Sequence, residues 1–198
     1  MAKGKFIVFE GPDGSGQSTQ VKILAEKLSE QGERVITTAE PTHESKYSHQ
    51  IWEILYKKIP ASNKEIQELI SLDRGEHLKN LILPALEKGD IVITSRYYYS
   101  TFAYGMIEFD LGWLKSLNEN YPPPDVAFIL NVRPEVCVER ITKRGKALEF
   151  FETHEKLKKV MGNYQALASS FPEIRLIDGE RSSEVISQEI IELVSKIL

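Results

Sequence analysis

Short apolar runs alternate along the chain with longer stretches in which apolar residues recur at helical spacing. Such runs, when turn residues bound them, are typical of strands that a parallel sheet buries on both faces. We therefore expect five strands, at residues 6–9, 34–38, 91–94, 126–132 and 174–177.

The segments between these strands have the apolar spacing of amphipathic helices. The first helix begins at Ser18, and Val21, Leu24 and Leu28 form its apolar face. Further helices are expected over residues 48–58, 64–86, 100–106, 111–118, 134–143, 148–169 and 183–197. This alternation predicts a single three-layer α/β domain over residues 1–198, with a five-stranded parallel sheet and helices on both faces.

The charge and hydropathy of the chain limit which partners and which cellular location we expect. The 198 residues include 25 Lys and Arg against 29 Asp and Glu, which gives a formal net charge of −4. We expect no nucleic-acid partner, because nucleic-acid binding usually needs a basic face. No apolar run is long enough to span a membrane, and the first one is too short for a signal peptide, so we expect a cytoplasmic protein without a membrane partner.

Cysteine and histidine usage argues against a metal centre built from these residue types. Cys137 is the single cysteine, which excludes an intramolecular disulfide and a cysteine-based metal cluster. The histidines are not spaced as zinc ligands, and we expect them at the polar surface: His43, His49, His77 and His154.

A glycine-rich loop joins the first strand to the first helix. Residues 11–18 read Gly-Pro-Asp-Gly-Ser-Gly-Gln-Ser, which matches the phosphate-binding P-loop at all but one position. Glycines let backbone N–H groups turn towards a polyphosphate, and the helix N-terminus adds its positive dipole end. The Ser18 hydroxyl stands where a P-loop ligates Mg²⁺. The residues expected to bind the polyphosphate are Gly11, Gly14, Ser15, Gly16, Gln17, Ser18 and Thr19. A plain strand-to-helix turn is the alternative.

The departure from the P-loop pattern is Gln17, which occupies the position of a lysine. An amide offers a hydrogen-bond donor but no charge to the phosphates. Loss of the charged contact that a lysine makes with the phosphates in the transition state would cost about 2–4 kcal/mol, or about 10²–10³ in rate. Either another cation takes the place of the lysine, or the chain binds nucleotide and transfers phosphate poorly.

Five further segments accompany the loop: Glu40-Pro41, Leu72-Asp73-Arg74, Ser95-Arg96-Tyr97, Glu139-Arg140 and Tyr164 to Ala168. Together with residues 9–20, they resemble the thymidylate kinases over essentially the whole chain. The resemblance implies a P-loop nucleoside-monophosphate-kinase fold. It also implies a homodimer that moves the γ-phosphoryl group of ATP to dTMP, giving dTDP, with Mg²⁺.

The same resemblance assigns roles to individual side chains. Asp13 would accept a hydrogen bond from the sugar 3′-hydroxyl, and Arg96 would hold the monophosphate and stabilise the charge in transfer. Tyr104 would crowd the sugar 2′-position. The full set implied for the acceptor site is Asp13, Glu40, Ile70, Arg74, Arg96, Ser100, Thr101 and Tyr104.

Basic residues near the end of one helix resemble the lid of the family, at about residues 142–150. The resemblance implies that Arg140 and Arg144 bind ATP, and Arg144 or Lys146 is the expected substitute for the missing lysine charge. The catalytic set is therefore Arg96, Gln17, Arg144 and Asp13. A solvated basic turn at a helix C-terminus is the alternative interpretation of this cluster.

The chain also departs from the family at several positions: Ala39 replaces an arginine, Ile70 a stacking phenylalanine, Ser95 and Asn131 aspartates, and Phe150 a lid arginine. Lysine and aspartate carry opposite charges. We therefore hypothesise that their losses at Gln17 and Ser95 compensate for each other.

Two other functions stay open. Because Ile70 cannot stack as an aromatic ring does, another deoxynucleoside monophosphate is a possible acceptor. A catalytically weak nucleotide-binding paralogue is the second alternative. A P-loop GTPase is disfavoured, since the sequence has no Asn-Lys-x-Asp motif.

Overall fold

The computed structural model describes residues 4–143 and 154–198. Within that part of the chain, five strands form one parallel sheet in the order β2-β3-β1-β4-β5. The strands are β1 (Lys5–Glu10), β2 (Val35–Ala39), β3 (Ile91–Ser95), β4 (Val126–Asn131) and β5 (Ile174–Asp178). The expected α/β fold with a five-stranded parallel sheet is confirmed.

Helices connect successive strands, and one more helix follows the last strand. They are α1 (Gln17–Glu30), α2 (Ser48–Leu55), α3 (Asn63–His77), α4 (Leu83–Glu87), α5 (Tyr98–Gly105), α6 (Leu111–Ser116), α7 (Pro134–Lys143), α8 (His154–Ala168) and α9 (Ser183–Val194). Most of the expected lid, and the expected helical residues 148–153, lie outside the described residues. No helix among the residues described is long and apolar enough to cross a membrane.

Side chains of the central strand β1 alternate between two apolar cores, as the pleat of a strand requires. Phe6 and Val8 point towards α4, α5 and α8, whereas Ile7 and Phe9 point towards α1 and α9. Burial on both faces explains why the strand is a continuous apolar run. The sheet is therefore fixed from both sides, and its carboxyl edge is a rigid base for the loops that follow.

The long helix expected over residues 64–86 is divided in the structure. A π-helical segment, Leu78–Ile82, separates α3 from α4. Pro84 lies in the first turn of α4, two residues after this segment. A proline inside a helix has no N–H to donate and crowds the carbonyl four residues earlier. The wider π turn accommodates this local mismatch, and α3 and α4 remain in sequence along one face of the sheet.

Candidate active site

The loop after β1 has a backbone that few residues other than glycine adopt. Gly11, Gly14 and Gly16 have φ angles of 145°, 82° and 105°. A Cβ atom on Gly14 would also lie 2.6 Å from the carbonyl oxygen of Cys137 in α7. Position 14 therefore needs glycine for two reasons, a left-handed backbone and a close approach to a neighbouring helix.

Gln17 turns its side chain back towards this loop. Its Nε2 donates to the carbonyl oxygen of Gly11 at 2.8 Å. Its Oε1 accepts from the Ser95 hydroxyl at 3.2 Å, so the side chain joins the loop to the end of β3. The two positions at which the resemblance leads us to expect opposite charges are therefore in direct contact. This contact supports the hypothesis of compensating losses, which stays a prediction.

Arg96 follows β3 with a φ angle of 71°, which is uncommon for a residue with a side chain. Its guanidinium donates to Asp13 Oδ1 at 2.6 Å and to the Ser100 hydroxyl at 3.0 Å. The same group lies over the ring of Tyr104, 5.4 Å from the ring centroid. These contacts hold a positive charge beside the P-loop, where a transferring phosphoryl group needs one.

Glu10 lies at the end of β1 and is wholly buried. Its carboxylate accepts from the backbone N–H groups of Tyr97 at 2.9 Å and Ser100 at 3.2 Å. The hydroxyls of Ser100 and Tyr164 also donate to it, at 2.5 and 3.0 Å. Glu10 thus caps the start of α5. Burial raises the pKa of Glu10 to about 7, while the hydrogen bond from Ser100 and the charge of Arg96 limit the rise.

The titration of Glu10 should lower stability towards alkaline pH. A carboxyl whose pKa rises from 4.5 to about 7 on folding binds an extra proton in the folded state, so stability falls across that pH range. Between about pH 5.5 and about pH 8, we expect the unfolding free energy of the unmodified protein to fall by about 2 kcal/mol more than that of Glu10→Gln. Urea denaturation measures both curves. Parallel curves for the two proteins would contradict the raised pKa.

A buried polar network lies at the floor of the site. Arg74 is 1% exposed, and its Nε donates to Glu40 Oε2 at 2.7 Å. Its NH1 donates to Thr101 at 3.1 Å and to Asn118 at 2.5 Å. The expectation that Arg74 and Glu40 belong to one site therefore has a geometric basis, and each charge is paired, as a buried charge requires.

The surface position expected for His77 is wrong. Its Nδ1 lies 3.1 Å from Glu40 Oε1 and its Nε2 lies 2.8 Å from the Thr38 hydroxyl, and the residue is 6% exposed. The reason is tertiary, because Glu40 and Thr38 come from β2 and the loop after it, far from His77 in sequence. The remaining three, His43, His49 and His154, are exposed as expected.

A cleft lies between the P-loop, α2, α3 and α5. It is lined by every residue expected at the acceptor site: Asp13, Glu40, Ile70, Arg74, Arg96, Ser100, Thr101 and Tyr104. The structure thus brings together side chains that are scattered over most of the chain. The roles of the individual residues remain predictions.

Residues expected on the donor side lie around the P-loop. Ser18 and Thr19 are exposed in the first turn of α1. Arg140 reaches the loop from α7, because its guanidinium donates to the carbonyl oxygen of Ser15 at 3.3 Å and to that of Gly179 at 3.1 Å. Arg144 lies outside the described residues.

Sequence reasoning missed several residues of the site. Glu10 could have been predicted as a site residue, since it is a charged residue at the end of an otherwise apolar strand. Gln67, Trp52 and Leu55 line the cleft but carry no motif. Asp73 is fully buried and accepts from the backbone N–H and the hydroxyl of Thr42, at 2.9 and 2.6 Å, which holds the loop after Glu40. Only the folded chain reveals these contacts.

A P-loop at the carboxyl edge of a parallel sheet, with an arginine-lined cleft beside it, is the arrangement expected of a P-loop nucleoside monophosphate kinase. The family model "Thymidylate kinase" matches residues 9–190. The chain therefore belongs to the thymidylate kinase family.

Individual relatives match over nearly their full length. A probable thymidylate kinase of Pyrococcus horikoshii is 40% identical, with 97% of this chain and 96% of the relative covered. A thymidylate kinase of Desulfotalea psychrophila is also 40% identical, with 98% and 96% covered. The solved structure of thymidylate kinase from Candida albicans superposes with a TM-score of 0.86 at 27% identity, covering 99% of this chain and 93% of that chain.

Proposed function

We propose that this chain transfers the γ-phosphoryl group of ATP to dTMP, giving dTDP, with the P-loop as donor site and the cleft as acceptor site. Membership of the family and the 40% identity to thymidylate kinases support the activity. The observation that carries the assignment to these residues is the ion pair of Arg96 and Asp13, which joins the loop to the cleft. A group that bridges the two sites lies where the phosphoryl group passes between them.

In this proposal Arg96 holds the dTMP phosphate and stabilises the charge of the transferring group. Asp13 accepts from the sugar 3′-hydroxyl, and Tyr104, which packs under Arg96, excludes a 2′-hydroxyl. Arg74 contacts the acceptor nucleotide from the floor of the cleft, where Glu40 and Thr101 fix its guanidinium. The other two residues expected at the acceptor site, Ile70 and Ser100, shape the base end and the phosphate end of the cleft, respectively.

Phosphoryl transfer asks mainly for alignment and charge stabilisation. The acceptor atom is already a phosphate oxygen, so the proposal needs no protein nucleophile and no strong general base. Gln17 contributes by fixing the loop through Gly11 and Ser95. Arg140 and Arg144 supply positive charge on the donor side, and Arg144 or Lys146 replaces the charge of the missing lysine.

We further propose that Mg²⁺ accompanies ATP. Within residues 4–143 and 154–198, no group of three or more acidic, histidine or cysteine side chains could hold a metal ion. Mg²⁺ keeps several waters and binds substrate phosphates, so one hydroxyl ligand from Ser18 fits its chemistry. When bound with ATP, the ion neutralises charge that develops on the phosphate oxygens.

The acceptor is tested with a panel of monophosphates in a coupled assay that detects ADP. The panel contains dTMP, dUMP, dCMP, dGMP and UMP, each with ATP and MgCl₂. We expect dTMP to have the highest kcat/KM. Faster turnover of another deoxynucleotide would support the alternative acceptor, and nucleotide binding without turnover would support a catalytically weak paralogue.

The proposal includes a homodimer in the cytoplasm, built from one domain per chain. Support for the dimer comes from Leu72 on α3 and Leu83 on α4, which are 48% and 39% exposed although both are large and apolar. Sedimentation velocity measures the oligomeric state directly.

A further inference from the structure

One buried carboxyl beside the cleft has no part in the transfer as proposed. Glu10 is wholly buried and is not among the described residues that line the cleft, so it does not contact a substrate there. The acceptor atom is a phosphate oxygen, so transfer needs no strong base from it either. A buried carboxylate is costly unless it is well paired. Any contribution of Glu10 to the reaction therefore passes through the groups that it binds.

The first of these groups is the backbone next to Arg96. The Arg96 N–H donates to the carbonyl oxygen of Phe9 at 2.7 Å, and the Tyr97 N–H donates to Glu10 Oε1 at 2.9 Å. Two consecutive residues of β1 thus hold the two consecutive residues that follow β3. The Arg96 φ angle of 71° is costly for a residue with a side chain, and such an angle persists only where neighbouring contacts enforce it. Glu10 supplies one of those contacts.

The second group is the hydroxyl of Ser100, which links Glu10 to the guanidinium of Arg96. This hydroxyl donates to Glu10 Oε2 at 2.5 Å and accepts from Arg96 NH1 at 3.0 Å. Because a hydroxyl has one hydrogen and two lone pairs, donation to the carboxylate leaves a lone pair for Arg96. The Tyr164 hydroxyl lies 2.9 Å from Ser100 Oγ and 3.0 Å from Glu10 Oε2, so it closes the network from α8.

From these contacts, and resting on the proposed function, we infer that the Glu10 carboxylate is a positioning residue for Arg96. It acts on the backbone through Tyr97 and on the guanidinium through Ser100. The NH2 nitrogen of the same guanidinium is thereby kept on Asp13, at 2.6 Å and beside the P-loop. A charge that stabilises a transferring group must be held closely in place, because a small displacement costs much of the rate.

Glu10→Gln is the change that removes the carboxylate and keeps the shape of the side chain. Two backbone N–H groups donate to Oε1, so the amide oxygen has to remain on that side. The NH2 group then faces Ser100 and Tyr164 in place of an acceptor. The Ser100 hydroxyl would accept from this group, and its own hydrogen would turn into the space that Arg96 and Tyr164 fill.

Steady-state kinetics tests the inference, with Glu192→Gln on the exposed part of α9 as a matched control. At about pH 8.5 we expect Glu10→Gln to lower kcat for dTMP about tenfold, because the guanidinium is no longer held in place. The KM for ATP should not change, and the control should leave kcat unchanged. A kcat for Glu10→Gln equal to that of the unmodified protein would overturn the inference.

A double-mutant cycle shows whether the effect passes through Arg96. In an Arg96→Met background, Glu10→Gln should change kcat less than about twofold, because the group that it positions is absent. A general loss of structure would instead lower kcat by the same factor in both backgrounds, and that result would overturn the inference.

The pH profile is a readout that a merely structural role would not move. Burial raises the pKa of Glu10 to about 7. The charged and titratable side chains around it are Arg96 after β3, Tyr98 on α5 and Tyr164 on α8. Arg96 stays protonated. Burial raises the pKa of Tyr98 to about 12 and raises that of Tyr164 well above its usual value, so Glu10 is the group of these four that titrates near neutrality.

The quantity to follow is kcat of the unmodified protein divided by kcat of Glu10→Gln. This ratio should be about ten at about pH 8.5, where Glu10 is ionised, and should approach one at about pH 5.5, where Glu10 is protonated and as neutral as the amide. Titration of the nucleotides affects both proteins equally and cancels in the ratio. A ratio that is the same at every pH would overturn the inference.

Ser100→Ala tests the link with Glu10 left in place. It removes the hydroxyl between the carboxylate and the guanidinium, so kcat should fall by several-fold, about as much as in Glu10→Gln. An unchanged kcat would overturn the inference even if Glu10→Gln does not fold.

Crystal structures of the free unmodified protein and of Glu10→Gln separate this inference from the proposed function. We expect the Arg96 guanidinium to leave the Ser100 hydroxyl in the variant. A guanidinium that has not moved would overturn the inference whether or not the protein is active. A displaced guanidinium in a protein that does not turn over dTMP would uphold the positioning role and refute the kinase activity.

Discussion

Replacing Arg96 with methionine should lower kcat for dTMP about 10³-fold, or about 4 kcal/mol in transition-state stabilisation. Arg96 is paired with Asp13 at 2.6 Å and hydrogen-bonded to Ser100, so its guanidinium is already in position before substrate binds. Preorganised charge of this kind stabilises the transition state without a reorganisation cost. Steady-state kinetics with saturating ATP measures the effect.

Two further variants test whether the loss of rate comes from the guanidinium group at position 96. Arg96→Lys keeps the charge but loses the fork of donors, so it should recover part of the rate. Arg175→Met removes an exposed arginine from β5 and should leave kcat unchanged. A drop of less than about tenfold in a folded Arg96→Met protein would rule out a direct role in transfer.

The second prediction concerns the contact between Gln17 and Ser95. Gln17→Lys should raise kcat by about tenfold or more, because it returns a charged contact to the phosphates. Ser95→Asp alone should lower kcat by about tenfold, because it adds an unpaired carboxylate beside the same phosphates. In the double variant the two new charges neutralise each other. Its kcat relative to the unmodified protein should therefore exceed the product of the relative kcat values of the two single variants.

Coupling is expected because the two side chains touch, with Gln17 Oε1 3.2 Å from the Ser95 hydroxyl. Residues in contact commonly couple by about 0.5–3 kcal/mol, and a double-mutant cycle on kcat measures that energy. The pair Gln17→Lys with Ser95→Asn is the matched control, since asparagine has the shape of aspartate without its charge. Strictly additive single effects would refute the idea that the two losses compensate.

The sequence was sufficient for the sheet and for most of the cleft, and the reason is physical. Buried parallel strands must be apolar on both faces, so each appears as a run that is hard to mistake. Motif residues such as Asp13 and Arg96 follow the carboxyl ends of these strands. Parallel strands bring those ends to one edge, so the side chains converge once the topology is right.

Residues without a strand-end position or a motif were not predictable in this way. Gln67 and His77 lie on α3, which buries several of its polar side chains. Helical spacing does not predict this burial, because it depends on what packs against the helix. The π-helical segment before Pro84 is a similar case, since a proline predicts a break or a kink without specifying which. Contacts with residues distant in sequence determine this burial and the form of the helix break, and the spacing of residues along the chain does not show those contacts.

The backbone of α7 rests directly against Gly14, and one missing methyl group makes that possible. Moving the helix away would open space at position 14 but would leave the left-handed dihedral angle, and reshaping the loop would relieve the angle but leave the collision with Cys137. Neither adjustment alone admits a larger residue. In this chain, a larger side chain at position 14 therefore requires both a reshaped loop and a displaced α7.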